Sequence, residues 1–144
     1  MAAGWLLDTC VVSELVRPKP DEGVREWLSH HISDCRLAAV TVGEIAFGIE
    51  SLPHGSRRNG LQRWASELQQ RFKERTLVTD EAVWMTFGRL KASLRSMGRP
   101  QDDFDILIAA TATVHSLQLV TRNSKHFADT GVTLINPWAS PKNH

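Results

Sequence analysis

Short apolar runs alternate along the chain with longer segments whose apolar residues recur every three or four positions. The runs at 5–8, 36–40, 76–79, 117–121 and 132–135 are too short for helices and mostly rich in Val, Leu or Ile. They read as strands. Helical periods fill the intervals at 11–16, 21–30, 42–52, 57–74, 81–97 and 104–116. Strand-helix-strand alternation with apolar strands predicts an α/β fold of three layers. A central parallel sheet of about five strands would be flanked by helices on both faces. Pro- and Gly-rich breaks at RPKP (17–20), PHGS (53–56) and MGRP (97–100) punctuate this pattern without dividing it, so residues 1–144 read as one domain. In the segment 81–97, Val83, Phe87, Leu90, Leu94 and Met97 form a stripe, expected to be a core or subunit-packing face. Trp5, Trp27, Trp64, Trp84 and Trp138 are scattered and are assigned to packing.

Composition narrows the function classes. Seventeen basic residues against sixteen acidic give a net charge of +1, which excludes a strongly cationic nucleic-acid coat but leaves room for a local basic face. Cys10 and Cys35 form no CxxC pair and read as reduced thiols, as expected of a cytoplasmic protein. No stretch approaches a membrane span, and MAAGWLLD lacks the pattern of a signal peptide.

In an open parallel sheet, ligands bind outside the carboxyl ends of the strands. The first strand ends in Asp8. The second runs into TVGE, placing Glu44 on the first turn of the next helix. QDDFD introduces the helix before the fourth strand, and that strand ends in Thr121, Arg122 and Asn123. Each has a plainer alternative. Asp8 suits a helix cap, Thr41 and Glu44 match a capping box, and Asn123 is an ordinary turn residue. Within QDDFD, Asp102 is the expected cap and Asp103 should face solvent or a supporting partner. Asp105 shares a helix face with Ile108, Ala109 and Ala112.

Crowded carboxylates need a proton or a cation to compensate. Mg²⁺, or alternatively Mn²⁺, suits hard oxygen donors and retained waters, and such sites commonly serve phosphoryl chemistry. Zinc fits poorly, because His30, His31, His54, His115, His126 and His144 show no ligand spacing for it. There is no GxxxxGK[ST], no GxGxxG after the first strand, no second aspartate two residues beyond Asp8, and no GxSxG.

LLDTCVVSELVRPKP, AAVTVGEIAFGI, DFDILIAATATVHSLQLVTRNSKHF and the closing INPW resemble, in order and spacing, a PIN-domain toxin ribonuclease. They are most similar to VapC toxins of the FitB-like branch. The resemblance implies an Mg²⁺- or Mn²⁺-dependent endoribonuclease of a type II toxin–antitoxin pair. By position it carries the acidic site onto Asp8, Glu44 and Asp105, with Asn123 at a fourth position that is often Asp and Thr121 supporting. Asp8 and Asp105 would hold the metal, and Glu44 would orient or deprotonate water. It further implies a homodimer and a VapB-like antitoxin, with operator DNA reached only through that antitoxin. Cys10 departs from the family's usual polar residue. Of the basic residues, Arg57, Arg58 and Arg122 are candidates for gripping RNA phosphates. Cys10 and Asn123 keep a second class open: a weakly or non-catalytic PIN module acting through a DNA-bound complex. Within the enzymes, DNA or a structured RNA is the rival substrate.

Overall fold

The computed structural model describes residues 4–138. His144 lies outside them. Five strands form one sheet: β1 (Trp5–Leu7), β2 (Cys35–Ala38), β3 (Thr76–Leu77), β4 (Gln118–Val120) and β5 (Leu134–Ile135). All pairings are parallel, in the order β3-β2-β1-β4-β5. The helices are α1 (Thr9–Glu14), α2 (Glu22–His31), α3 (Ala39–Glu50), α4 (Ser56–Arg71), α5 (Glu81–Ser96) and α6 (Asp103–Val114).

Neighbouring strand residues point to opposite faces, and this sorts the core into layers. Leu6 and Leu119 join Ile108, Ala109 and Ala112 of α6 on one face. Leu7 and Val120 join Val11, Val12, Val24, Leu28 and Leu68 on the other. Burying each of these Leu, Ile or Val side chains contributes roughly 1.5–3 kcal/mol. Helix α6 is buried almost all round, from Ile106 to Ala112. Its Leu107 and Ala110 pack with Val83, Phe87 and Leu90 of α5. The stripe on α5 is therefore a core face within the chain, with Met97 alone of its members markedly exposed.

The local boundaries differ from the sequence pattern in informative ways. The second strand ends at Ala38 and α3 begins at Ala39, because the run LAAV suits either state and periodicity cannot divide it. Thr41 is consequently the third residue of α3, not its cap. Ala38 is the cap, with no side-chain bond, and the capping box is absent. Glu44 moves from the first turn to the second. Helix α1 starts at Thr9, two residues early, because Asp8 caps it. The strands at 76–79 and 132–135 shrink to two residues each. MGRP does end α5: Gly98, at φ +70°, turns the chain while its N–H and that of Arg99 close onto Arg95 and Leu94 carbonyls.

Of the tryptophans assigned to packing, Trp84 is half exposed and touches Phe87 edge-on, with ring centroids 5.4 Å apart. Trp5 and Trp27 instead pack edge to face with each other. No described helix is long and apolar enough to cross a membrane.

Candidate active site at the carboxyl edge of the sheet

The strand order reverses direction at β1 and β4, so the crevice between their carboxyl ends is the expected ligand position. Leu7 is in register with Val120, which brings the next residues, Asp8 and Thr121, side by side. Asp8 is buried, and its backbone N–H donates to the Val120 carbonyl at 2.9 Å. Its side chain is held at both oxygens. Oδ1 accepts from the Thr9 N–H at 2.8 Å, and Oδ2 accepts from the Thr121 hydroxyl at 2.7 Å. Asp8 is thus both the cap of α1 and part of the acidic group; the two readings coexist.

Thr121 Oγ1 also accepts the N–H of Asn123 at 3.0 Å. Asn123 joins the network through its backbone. Cys10 closes this corner: its thiol donates to Asp8 Oδ2 at 3.5 Å and accepts the Arg122 N–H at 3.5 Å. Burial, reinforced by the Asp8 charge, pushes that thiol up to about 11. Sulfur here is a protonated packing atom, filling the place of a polar side chain without offering a thiolate.

Glu44 is half buried on α3, and its Oε1 accepts the Thr9 hydroxyl at 2.5 Å. Burial raises its pKa; the Thr9 bond opposes this, and the charges of Asp8 and Asp102 add to it. Asp105 stands on the first turn of α6. Burial pushes it up to about 6, helped by the charges of Asp8, Asp102 and Glu44 and opposed by His126. The charge of Asp8 thus reaches both Glu44 and Asp105, as a lesser cause than burial. Among the described residues, however, no three His, Cys, Asp or Glu side chains are drawn close enough to enclose a metal ion. The donor set fits a hard cation bound by one or two carboxylates and completed by water, the habit of Mg²⁺.

The other aspartates of QDDFD separate as expected. Asp102 caps α6, accepting the Phe104 N–H at 3.0 Å. Asp103 is exposed and pairs with Lys91 at 3.0 Å.

The basic candidates divide. Arg58 pairs with Glu50 and meets His54, with its side chain only 12% exposed. Its helix position turns it onto the neighbouring helix α3. Arg57 is exposed on the first turn of α4. Arg122 is exposed beside the acidic corner, its guanidinium 5.3 Å from the Trp138 ring. Sequence reasoning missed two residues. Thr9 had no visible link to Glu44, 35 positions away. His126, considered only as a zinc ligand, lies with Nδ1 3.4 Å from Asp105 Oδ2.

Residues 5–132 match the family model described as the PIN domain. The toxin FitB of Neisseria gonorrhoeae is 37% identical over 135 residues, spanning 92% of this chain and 97% of that protein. The VapC ribonuclease Y4jK of Sinorhizobium fredii is 35% identical over 135 residues, spanning 92% and 96% respectively. Among solved structures, FitAB bound to an IR36 DNA fragment has a chain that superposes with a TM-score of 0.87 at 34% identity. That match covers 97% of this chain and 99% of the other.

Proposed function

Because the chain belongs to the PIN-domain family, among the FitB- and VapC-type toxins, we propose that it is a metal-dependent endoribonuclease toxin that hydrolyses RNA phosphodiester bonds. The observation that supports this reading is the siting of Asp8, Glu44 and Asp105 at the sheet's switch point, with Asp8 fixed by Thr9 and Thr121 and its charge reaching the two partly buried carboxylates. Partly buried carboxylates held within reach of a further carboxylate's charge cost the fold, and a divalent cation relieves that cost.

Asp8 and Asp105 are the residues that would hold Mg²⁺ or Mn²⁺. When bound, such a cation supplies charge neutralisation at the phosphate and lowers the pKa of a bound water. Asp8 is rigid, tied at both oxygens. Glu44, steadied by the Thr9 hydroxyl, orients the attacking water and takes its proton as the new bond to phosphorus forms and the bridging ester oxygen leaves. Thr121 fixes Asp8 and, through the Asn123 N–H, the start of the following loop. Arg122 and Arg57 are free to meet the RNA backbone.

The partner reading follows the relatives. The FitAB complex is bound to DNA, which supports a VapB-like antitoxin for this chain and operator DNA contact through that antitoxin. A homodimer is supported by Trp84 and Met85 of α5 and Met97 just past its end, which leave apolar surface there. The proposed RNA substrate is in keeping with a cytoplasmic protein.

The test is cleavage of defined RNAs and of matched DNAs by the purified chain with Mg²⁺, with EDTA, and with Asp8→Ala. Loss of RNA cleavage in the last two supports the reading. Equal cleavage by Asp8→Ala refutes it, and a chain inert under all conditions yet bound to an antitoxin–DNA complex selects the non-catalytic module.

A further inference from the structure

The carboxylates of the site are not held alike. Asp8 is fixed by a backbone N–H and a hydroxyl, and Glu44 by a hydroxyl. Among the described residues, Asp105 has one polar side-chain neighbour within ion-pair reach: His126, whose Nδ1 lies 3.4 Å from Oδ2.

His126 is delivered there by a well-anchored segment. It belongs to a short 3₁₀ helix, Ser124–Phe127, that follows β4. Phe127 is buried with Leu6, Ala38, Ile108 and Ala109 between sheet and α6. The His126 N–H donates to the Asn123 carbonyl at 2.9 Å, and the Thr130 hydroxyl donates to the Phe127 carbonyl at 2.6 Å. The imidazole is half exposed, so no core packing depends on it, while the Asp105 side chain beneath it is 18% exposed.

We propose that His126 is a positioning residue for Asp105, holding Oδ2 through its Nδ1 edge so that Oδ1 is left to face a divalent cation. A carboxylate ligand without such an outer partner swings among rotamers, and loss of the partner typically weakens metal binding about 10- to 100-fold. This inference rests on the cation reading of the preceding subsection.

The experiment is Mn²⁺ titration of the full chain, read by the electron paramagnetic resonance signal of free Mn²⁺. Wild type is compared with His126→Ala and His126→Asn, with thermal melts alongside. Asparagine carries an amide N–H near the place of Nδ1 and keeps no imidazole. The expected result is Mn²⁺ affinity reduced about 10- to 100-fold in His126→Ala and returned to within a few-fold of wild type in His126→Asn, with unchanged melting temperatures. Wild-type affinity in His126→Ala, or equal losses in both variants, overturns the role of His126 while leaving the cation reading standing. Absence of Mn²⁺ binding by wild type overturns both.

Discussion

The Thr121 hydroxyl donates to Asp8 Oδ2 at 2.7 Å across 113 positions of sequence, tying the carboxyl ends of β1 and β4 together at a buried point. The Thr121 hydroxyl oxygen also accepts the Asn123 N–H, so one side chain sets both a carboxylate and the loop beyond it.

Thr121→Val keeps the shape of the residue but leaves the Asn123 N–H and one Asp8 lone pair without their partner. The expected loss is about 1–3 kcal/mol of stability, together with a fall in RNA cleavage of about 10- to 100-fold. Thr121→Ser retains both bonds and should stay near wild type. Denaturant melts and single-turnover cleavage read the two effects.

Asp105 titrates at about 6 in the folded chain, above its ordinary value of 3.8. Protonated Asp105 is therefore favoured by folding, and the stability it contributes is full below pH 3.8 and lost as pH rises through about 6. In EDTA, Asp105→Asn should gain melting temperature relative to wild type as pH is raised through that window, by a few degrees. Added Mg²⁺ should narrow the gap by stabilising wild type alone. Thermal melts across pH, with and without Mg²⁺, measure this.

Burial pushes Cys10 up to about 11 and Cys35 up to about 12, the latter despite the nearby Arg75 charge. At pH 7.5 neither presents a thiolate. Reaction of the native protein with a thiol-exchange reagent should be slow at both positions, and two thiols should appear at once on unfolding. Rapid labelling of native Cys10 would contradict its placement against Asp8.

Two of the arginines that the sequence offers as phosphate contacts, Arg58 and Arg122, should part company. Arg58→Ala should cost about 1 kcal/mol of stability, because the Glu50 pair and helix contact are lost, with little change in RNA binding. Arg122→Ala should weaken binding of any RNA sequence and lower the salt dependence by about one ion. Binding isotherms at several salt concentrations distinguish them.

Trp84 and Met85 are each about half exposed near the start of α5. Replacing both with Glu should convert the expected dimer to a monomer in light scattering, without loss of the melting transition.

Sequence periodicity determined the five strands, the six α-helices and the parallel sheet, and with them Asp8, Glu44 and Asp105 as candidates near one sheet edge, because element type follows from neighbours a few residues apart. It also separated Asp102 as the cap from Asp105 on the buried face, since both depend only on positions within one helix. What it could not divide was the run LAAV, where strand and helix have the same apolar pattern. Only tertiary structure decided that Thr121 locks Asp8, that Thr9 steadies Glu44, that His126 stands beside Asp105 and that Arg58 is taken by Glu50. The Thr121, Thr9 and His126 links join groups at different places on the sheet's edge, and strand order rather than local pattern brings those places together. The Arg58–Glu50 pair instead depends on how α3 and α4 fold back on each other. Chemistry at this edge is thus readable as a set of residue types, while the partner that fixes each one is a property of the fold.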